Sequence, residues 1–175
     1  NPTEPGLLRD RFVTWLDKRS AAGCGKPILA RLEAAGLAQP SGPYVAHREF
    51  RPALSPEDAA LLEKLVAEIM AAGYDVPLWP ELRTTASLSK PRSKMLEELA
   101  KCEPRVKIIA PQQFLSAEAV NRLKETVRQL GKGRAFKLAE VRDALKLSRR
   151  VVQPMLEYLD RVQFTKRVGD ERVLL

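Results

Sequence analysis

Ser148–Leu175 reads SRRVVQPMLEYLDRVQFTKRVGDERVLL. A residue able to cap a helix stands first, and two adjacent arginines follow it. Apolar residues recur at Val151, Val152, Met155, Leu156, Leu159 and Val162, the spacing of a helix with one buried face. A short β-prone run, Phe164-Thr165, comes next. Lys166-Arg167-Val168-Gly169-Asp170 is a basic tip, in which Gly169-Asp170 supplies the positive φ of a tight hairpin. Arg172–Leu175 is the returning strand. A helix with a cationic start, followed by a cationic hairpin, is the second half of a winged helix-turn-helix. Such a unit brings a helix end and a wing against one nucleic-acid backbone.

The residues before this stretch complete the unit. Ser116-Ala117-Glu118 opens a helix that ends near Leu130. Gly131-Lys132-Gly133-Arg134 is a flexible basic connector, Phe136-Lys137-Leu138 a short strand and Ala139–Leu145 a short helix. Two similar cycles lie upstream. The first has helices over 7–18 and Lys26–Leu37, then a hairpin around Ser41-Gly42-Pro43 within Ala38–Phe50. The second has a strongly signalled helix over 55–72, with Ser55 as cap, Pro56 in the first turn and Glu57 and Asp58 complementing the dipole. A possible strand at Tyr74–Leu78, helices over Pro80–Thr85 and Lys90–Cys102 and a hairpin over Val106–Phe114 follow. Lys26, Lys90 and Arg150 each precede a Leu-Glu pair by six and seven positions, and these anchors are 64 and 60 residues apart. A repeat of this kind is the mark of modules in series. The expected architecture is mainly α with small β-hairpins (α+β), as tandem winged-helix modules in an extended row: residues 1–52, lacking a leading helix, 53–115 and 116–175. The Asn-Pro start and the missing helix suggest an excised fragment.

Charge is uneven along these modules. The 175 residues carry 30 basic and 22 acidic side chains, a net +8. Residues 116–175 hold 14 basic and 8 acidic groups, while 53–115 are close to neutral and 1–52 hold 8 and 5. A balance of this kind favours a polyanionic partner, and most of it sits in the last third. At 45% hydrophobic and 30% charged, the chain is globular. No apolar run reaches transmembrane length, so no membrane partner is expected. Cys24 and Cys102 fit no metal spacing and read as reduced thiols of a cytoplasmic protein. His47, the only histidine, reads as a surface residue. Trp15 and Trp79 read as module cores or contacts between modules.

No catalytic constellation is present: no phosphate-binding glycine loop, no HExxH and no usable Cys–His pair. The chain reads as a binding module, not an enzyme. The candidate site is cationic. Arg149 and Arg150 stand at a helix start, where the dipole favours anions, and guanidinium donors match a phosphate or a guanine edge. Ser148 is expected to cap that helix. Lys166, Arg167 and Arg172 join from the wing, Arg134 and Lys137 from the connector, and Arg142 from the preceding helix. Lys26 alone marks the first module's helix start, and Lys90, Arg92 and Lys94 mark the second's; these two modules read as spacers.

FKLAEVRDALKLSRRVVQPMLEYLDRVQFTKRVGDERVLL, the last 40 residues, resembles the final winged-helix module of the SelB family, the bacterial selenocysteine-specific elongation factors. Arg142-Asp143, Leu147-Ser148-Arg149-Arg150, Leu156–Arg161 and Phe164–Arg167 with Gly169 carry the likeness. The series of modules and Glu4-Pro5-Gly6-Leu7 resemble the family's C-terminal extension more loosely. The resemblance implies a tail that binds a hairpin in selenoprotein mRNA, the SECIS element, beside an in-frame UGA codon. It implies a parent GTPase similar to elongation factor Tu, which holds GTP and selenocysteyl-tRNA on the ribosome; the tail itself needs no cofactor and acts as a monomer. In the family, the last module docks on the hairpin's apical stem and loop, holding phosphates and an extruded base with its helix end and wing. Pro154 departs from the pattern, because a proline six residues into a helix disfavours a straight helix; the helix is expected to start later or to bend. The alternative reading is a winged-helix DNA-binding regulator or chromosome-organising protein. A-form RNA has a major groove too deep and narrow for a helix to read, so an RNA-binding winged helix should grip phosphates and unpaired bases with its tips.

Overall fold

A computed structural model describes residues 4–175. The chain runs β1 (Leu7–Leu8), α1 (Arg9–Asp17), α2 (Gly25–Ala34), β2 (Ala38–Ser41), β3 (Tyr44–His47). It continues with α3 (Pro56–Ala71), α4 (Trp79–Thr85), α5 (Lys90–Ala100), β4 (Val106–Ala110), β5 (Gln113–Ser116). Then come α6 (Ala117–Leu130), β6 (Phe136–Lys137), α7 (Leu138–Leu145), α8 (Arg149–Arg161), β7 (Thr165–Val168) and β8 (Glu171–Leu174). The sheets are small and antiparallel, in the orders β1-β3-β2, β4-β5 and β6-β8-β7. The fold is α+β and follows the winged-helix order: strand, helix, turn, helix, wing.

The repeat extends to single backbone angles. The hairpin tips are Gly42, Gln112 and Gly169, with φ of 56°, 59° and 62°. The turn before the last helix of each cycle holds Gly23, Ser87 or Lys146, at φ 81°, 53° and 54°. A left-handed residue at the tip lets two right-twisting strands close over a short connection. The helix starts follow local chemistry as well. The hydroxyl of Ser55 accepts from the amide of Asp58 at 3.1 Å, and that of Ser116 from the amide of Ala119 at 3.1 Å.

The chain divides into two compact units. One takes the residues up to Val66 together with Arg83–Pro104; the other takes Ala67–Leu82 together with Arg105–Leu175. In the second unit Val120, Leu123 and Val127 of α6, Phe136, Val141 of α7, and Val152, Met155, Leu156 and Leu159 of α8 form one buried core. Each such side chain contributes about 1.5–3 kcal/mol by leaving water, an upper estimate because the unfolded chain is itself partly collapsed. Ile109 of β4 and Leu115 of β5 belong to the same core, and Tyr74 and Val76 pack against it. The hairpin β4-β5 thus lies in the compact unit that holds α6–β8.

Several expectations from local pattern are corrected. Leu7-Leu8 is a strand paired with Val45 and Tyr44, not the first turn of a helix. Tyr74–Leu78 forms no strand; just after it the Trp79 amide donates to the carbonyl of Gln112 at 2.8 Å. Trp79 is buried, but Trp15 is 46% exposed, stacked on Phe12 and with the guanidinium of Arg19 4.1 Å from its ring centre. Val162 lies past the end of α8 and is exposed. Among the described residues, no helix is long and apolar enough to cross a membrane.

Candidate nucleic-acid interface

Helix α8 begins at Arg149 and runs through Pro154 to Arg161. The later start that Pro154 suggested is not found. Proline lacks the N–H that would reach the carbonyl of Arg150 one turn back, so the first turn is tied to the rest of the helix by one bond fewer. What holds α8 is its apolar face, Val152, Met155, Leu156 and Leu159, all fully buried.

Ser148 occupies the cap position in extended conformation, but its hydroxyl makes no capping bond. The amides of Val151 and Val152 both donate to the Ser148 carbonyl, at 3.1 Å. The first two amides of the helix, those of Arg149 and Arg150, have no side-chain acceptor among the described residues. Ser148, Arg149 and Arg150 are all exposed, and neither arginine has an ion-pair partner among the described residues. Lys146, at the left-handed turn just before them, is exposed and unpaired in the same sense. The positive end of α8 is thus an open seat for an anion, ringed by three cations.

The remaining candidates divide in two. Lys166 and Arg167 are exposed on β7, and the Arg167 Nε donates to the carbonyl of Gly169 at 2.9 Å across the wing tip. Arg134, Lys137 and Arg142 are exposed or partly so but already face acids. Arg134 meets Glu140 at 2.5 Å, Arg142 meets Asp143 at 2.7 Å and Lys137 stands 3.9 Å from Glu171. The Arg134 guanidinium, and then the Lys137 backbone N–H, hold the Glu140 carboxyl below its usual range. Such exposed pairs are weak and exchange readily for a phosphate.

Arg172 is not a wing cation. Its side chain is 5% exposed and donates from Nε to Asp160 Oδ2 at 2.9 Å. β8 is the middle strand of β6-β8-β7, and Arg172, in register with the fully buried Phe136 of β6, shares that residue's face of the sheet, where Asp160 of α8 receives it. Sequence reasoning also passed over Lys146 and Asp160. Asp160 could have been noticed, because a carboxylate in the last turn of a helix opposes the dipole and needs a cation elsewhere.

The corresponding places in the other groups differ, although Ser89 before α5 makes no capping bond either. At the start of α2 the Asp17 carboxylate accepts from the Gly25 amide at 2.6 Å. At the start of α5 Pro91 removes one donor, and Arg92 is held by Asp58 at 2.6 Å and Glu57 at 3.0 Å. Lys26, Lys90 and Lys94 remain exposed.

Residues 128–174 match the family model described as elongation factor SelB, winged helix. The resemblance read from the last 40 residues is therefore found independently over the module that carries the open helix start. Two solved structures share the fold of this chain. The mRNA-binding domain of elongation factor SelB from E. coli, solved in complex with SECIS RNA, superposes with a TM-score of 0.60 at 20% identity, covering 69% of this chain and 98% of that one. A bacterial selenocysteine-specific elongation factor, EF-Sec, gives 0.55 at 19% identity, covering 86% of this chain and 24% of that one. This chain thus spans about a quarter of the length of that factor. No curated protein matches it in sequence.

Proposed function

We propose that the chain is the mRNA-binding tail of a selenocysteine-specific translation elongation factor, and that it recognises a SECIS-type RNA hairpin to direct selenocysteine incorporation at UGA codons. The observation that carries this reading is the uncapped start of α8, with Arg149 and Arg150 exposed and unpaired, inside the module that matches the SelB winged helix. The helix end and the wing cations Lys166 and Arg167 hold backbone phosphates around a looped or extruded base. Lys146 adds charge at the turn, and Arg134, Lys137 and Arg142 exchange their acidic neighbours for phosphate.

In this reading residues 1–52, 53–115 and 116–175 are three winged-helix modules, the first two acting as spacers. The tail is a monomeric binding module of a cytoplasmic factor, without catalytic role or cofactor of its own. GTP, selenocysteyl-tRNA and the ribosome are engaged by the parent protein, and tethering raises the local concentration of the charged tRNA at one codon.

The deciding experiment is a titration of the 175-residue chain against three probes: an RNA hairpin with an unpaired base near its loop, the same hairpin fully paired, and duplex DNA. The first should bind best, with affinity falling steeply as salt rises. Preference for duplex DNA would replace this reading with that of a DNA-binding regulator.

A further inference from the structure

Asp160 lies in the last turn of α8, where the helix dipole disfavours a carboxylate. Both of its oxygens are used by the wing. Oδ1 accepts from the Thr165 hydroxyl at 2.6 Å, and Oδ2 from the Arg172 Nε at 2.9 Å. Thr165 is the first residue of β7 and is buried, as is Arg172 on β8. One carboxylate therefore ties both wing strands to the helix whose other end carries Arg149 and Arg150.

We propose that Asp160, with Arg172 and Thr165, is a positioning latch that sets the wing, and so Lys166 and Arg167, at a fixed place relative to the start of α8. The proposal rests on the RNA-binding reading above. A backbone presents phosphates at fixed separations, so two cation groups bind it together only if their spacing is set beforehand. Leaving the wing loose adds the cost of ordering long side chains at the moment of binding. The Arg172 charge never reaches the RNA; it serves the spacing of the other cations.

The test uses the full chain with Asp160→Asn, which keeps size and removes charge, with Lys166→Ala/Arg167→Ala, and with the three combined. Asp160→Asn should weaken binding of the looped RNA hairpin roughly fivefold, the cost of immobilising one or two long side chains. With Lys166 and Arg167 already removed it should cost nothing further, and the loss caused by Arg149→Ala should be the same with or without it. Thr165→Val, which keeps the ion pair, should give a smaller loss in the same direction. Tighter binding by Asp160→Asn would mean that Arg172, once released, is itself an RNA ligand, and would overturn the latch. Equal losses with and without the wing cations would overturn it as well. Amide exchange gives a readout without RNA: Asp160→Asn should speed exchange at Lys166–Val168 and leave α6 and α7 unchanged. If the unsubstituted chain binds no hairpin, the functional reading fails, while unchanged exchange on the wing would sink the latch by itself.

Discussion

Two wing tips with the same backbone meet different surroundings. A Cβ built on Gly42 would stand 2.3 Å from the carbonyl of Lys101, whereas one built on Gly169 meets nothing within 4 Å. Around the first tip the contacts continue. The Tyr44 hydroxyl donates to Glu98 at 2.5 Å, and the Cys102 thiol donates to the Ser41 carbonyl at 3.1 Å. Burial pushes the Glu98 carboxyl up, but hydrogen bonds from Lys101 and Tyr44 outweigh it and leave the group below its usual range. The first wing is thus a docking element inside its own compact unit, with its tip packed against Lys101 and Cys102. The last wing presents Lys166 and Arg167 to solvent. The helix starts repeat the lesson: Asp17 fills the anion seat of α2, and no described side chain fills that of α8. Equivalent tips are thus tied into their own unit in one case and left open in the other.

The comparison breaks most visibly at the tips. Gly42→Val combines a left-handed β-branched residue with a backbone clash, and should cost about 3 kcal/mol or more in a denaturant titration. Gly169→Ala should cost only about 1 kcal/mol, the backbone term alone. Equal losses would mean that the first tip is not docked. The helix starts sharpen it next. Arg149→Ala and Arg150→Ala should each weaken hairpin binding by about 1–3 kcal/mol, the range for a specific charged contact. Lys26→Ala and Lys90→Ala should leave binding almost unchanged, and similar losses at all four would spread the interface over every module. The caps give the smallest difference. Asp17→Ala should lower stability by about 1 kcal/mol, while Ser148→Ala, which removes no capping bond, should change it by a few tenths at most.

The helices with strong local signals were legible in the sequence. The Ser55 and Ser116 caps, the apolar stripe of α8 and the Gly169 tip all follow from neighbours in the chain. So did the placing of Arg149, Arg150, Lys166 and Arg167 on exposed tips. What escaped depends on partners far away in sequence. Leu7-Leu8 becomes a strand because β3 accepts it, and Arg172 turns inward because it shares the face of the buried Phe136 and meets Asp160 there, which no local pattern encodes. Ser148 has the right residue type for a cap, but residue type does not say where its hydroxyl points. The pairing of Arg92 with Asp58 joins positions 34 apart, and only the fold shows that this cation is already neutralised.

Lys146 holds φ 54° and ψ 39°, a conformation that an L side chain adopts at a cost of about 1–2 kcal/mol and that glycine adopts freely. The corresponding turn in the first module does use glycine, Gly23 at φ 81°. Lys146→Gly should therefore raise thermal stability by about 1 kcal/mol and weaken hairpin binding, measured by melting and by titration. Under the RNA-binding proposal, heat resistance and RNA affinity thus pull this position in opposite directions. A library screened only for survival at high temperature would accept the glycine early, and the interface would erode while every sign of a healthy fold improved.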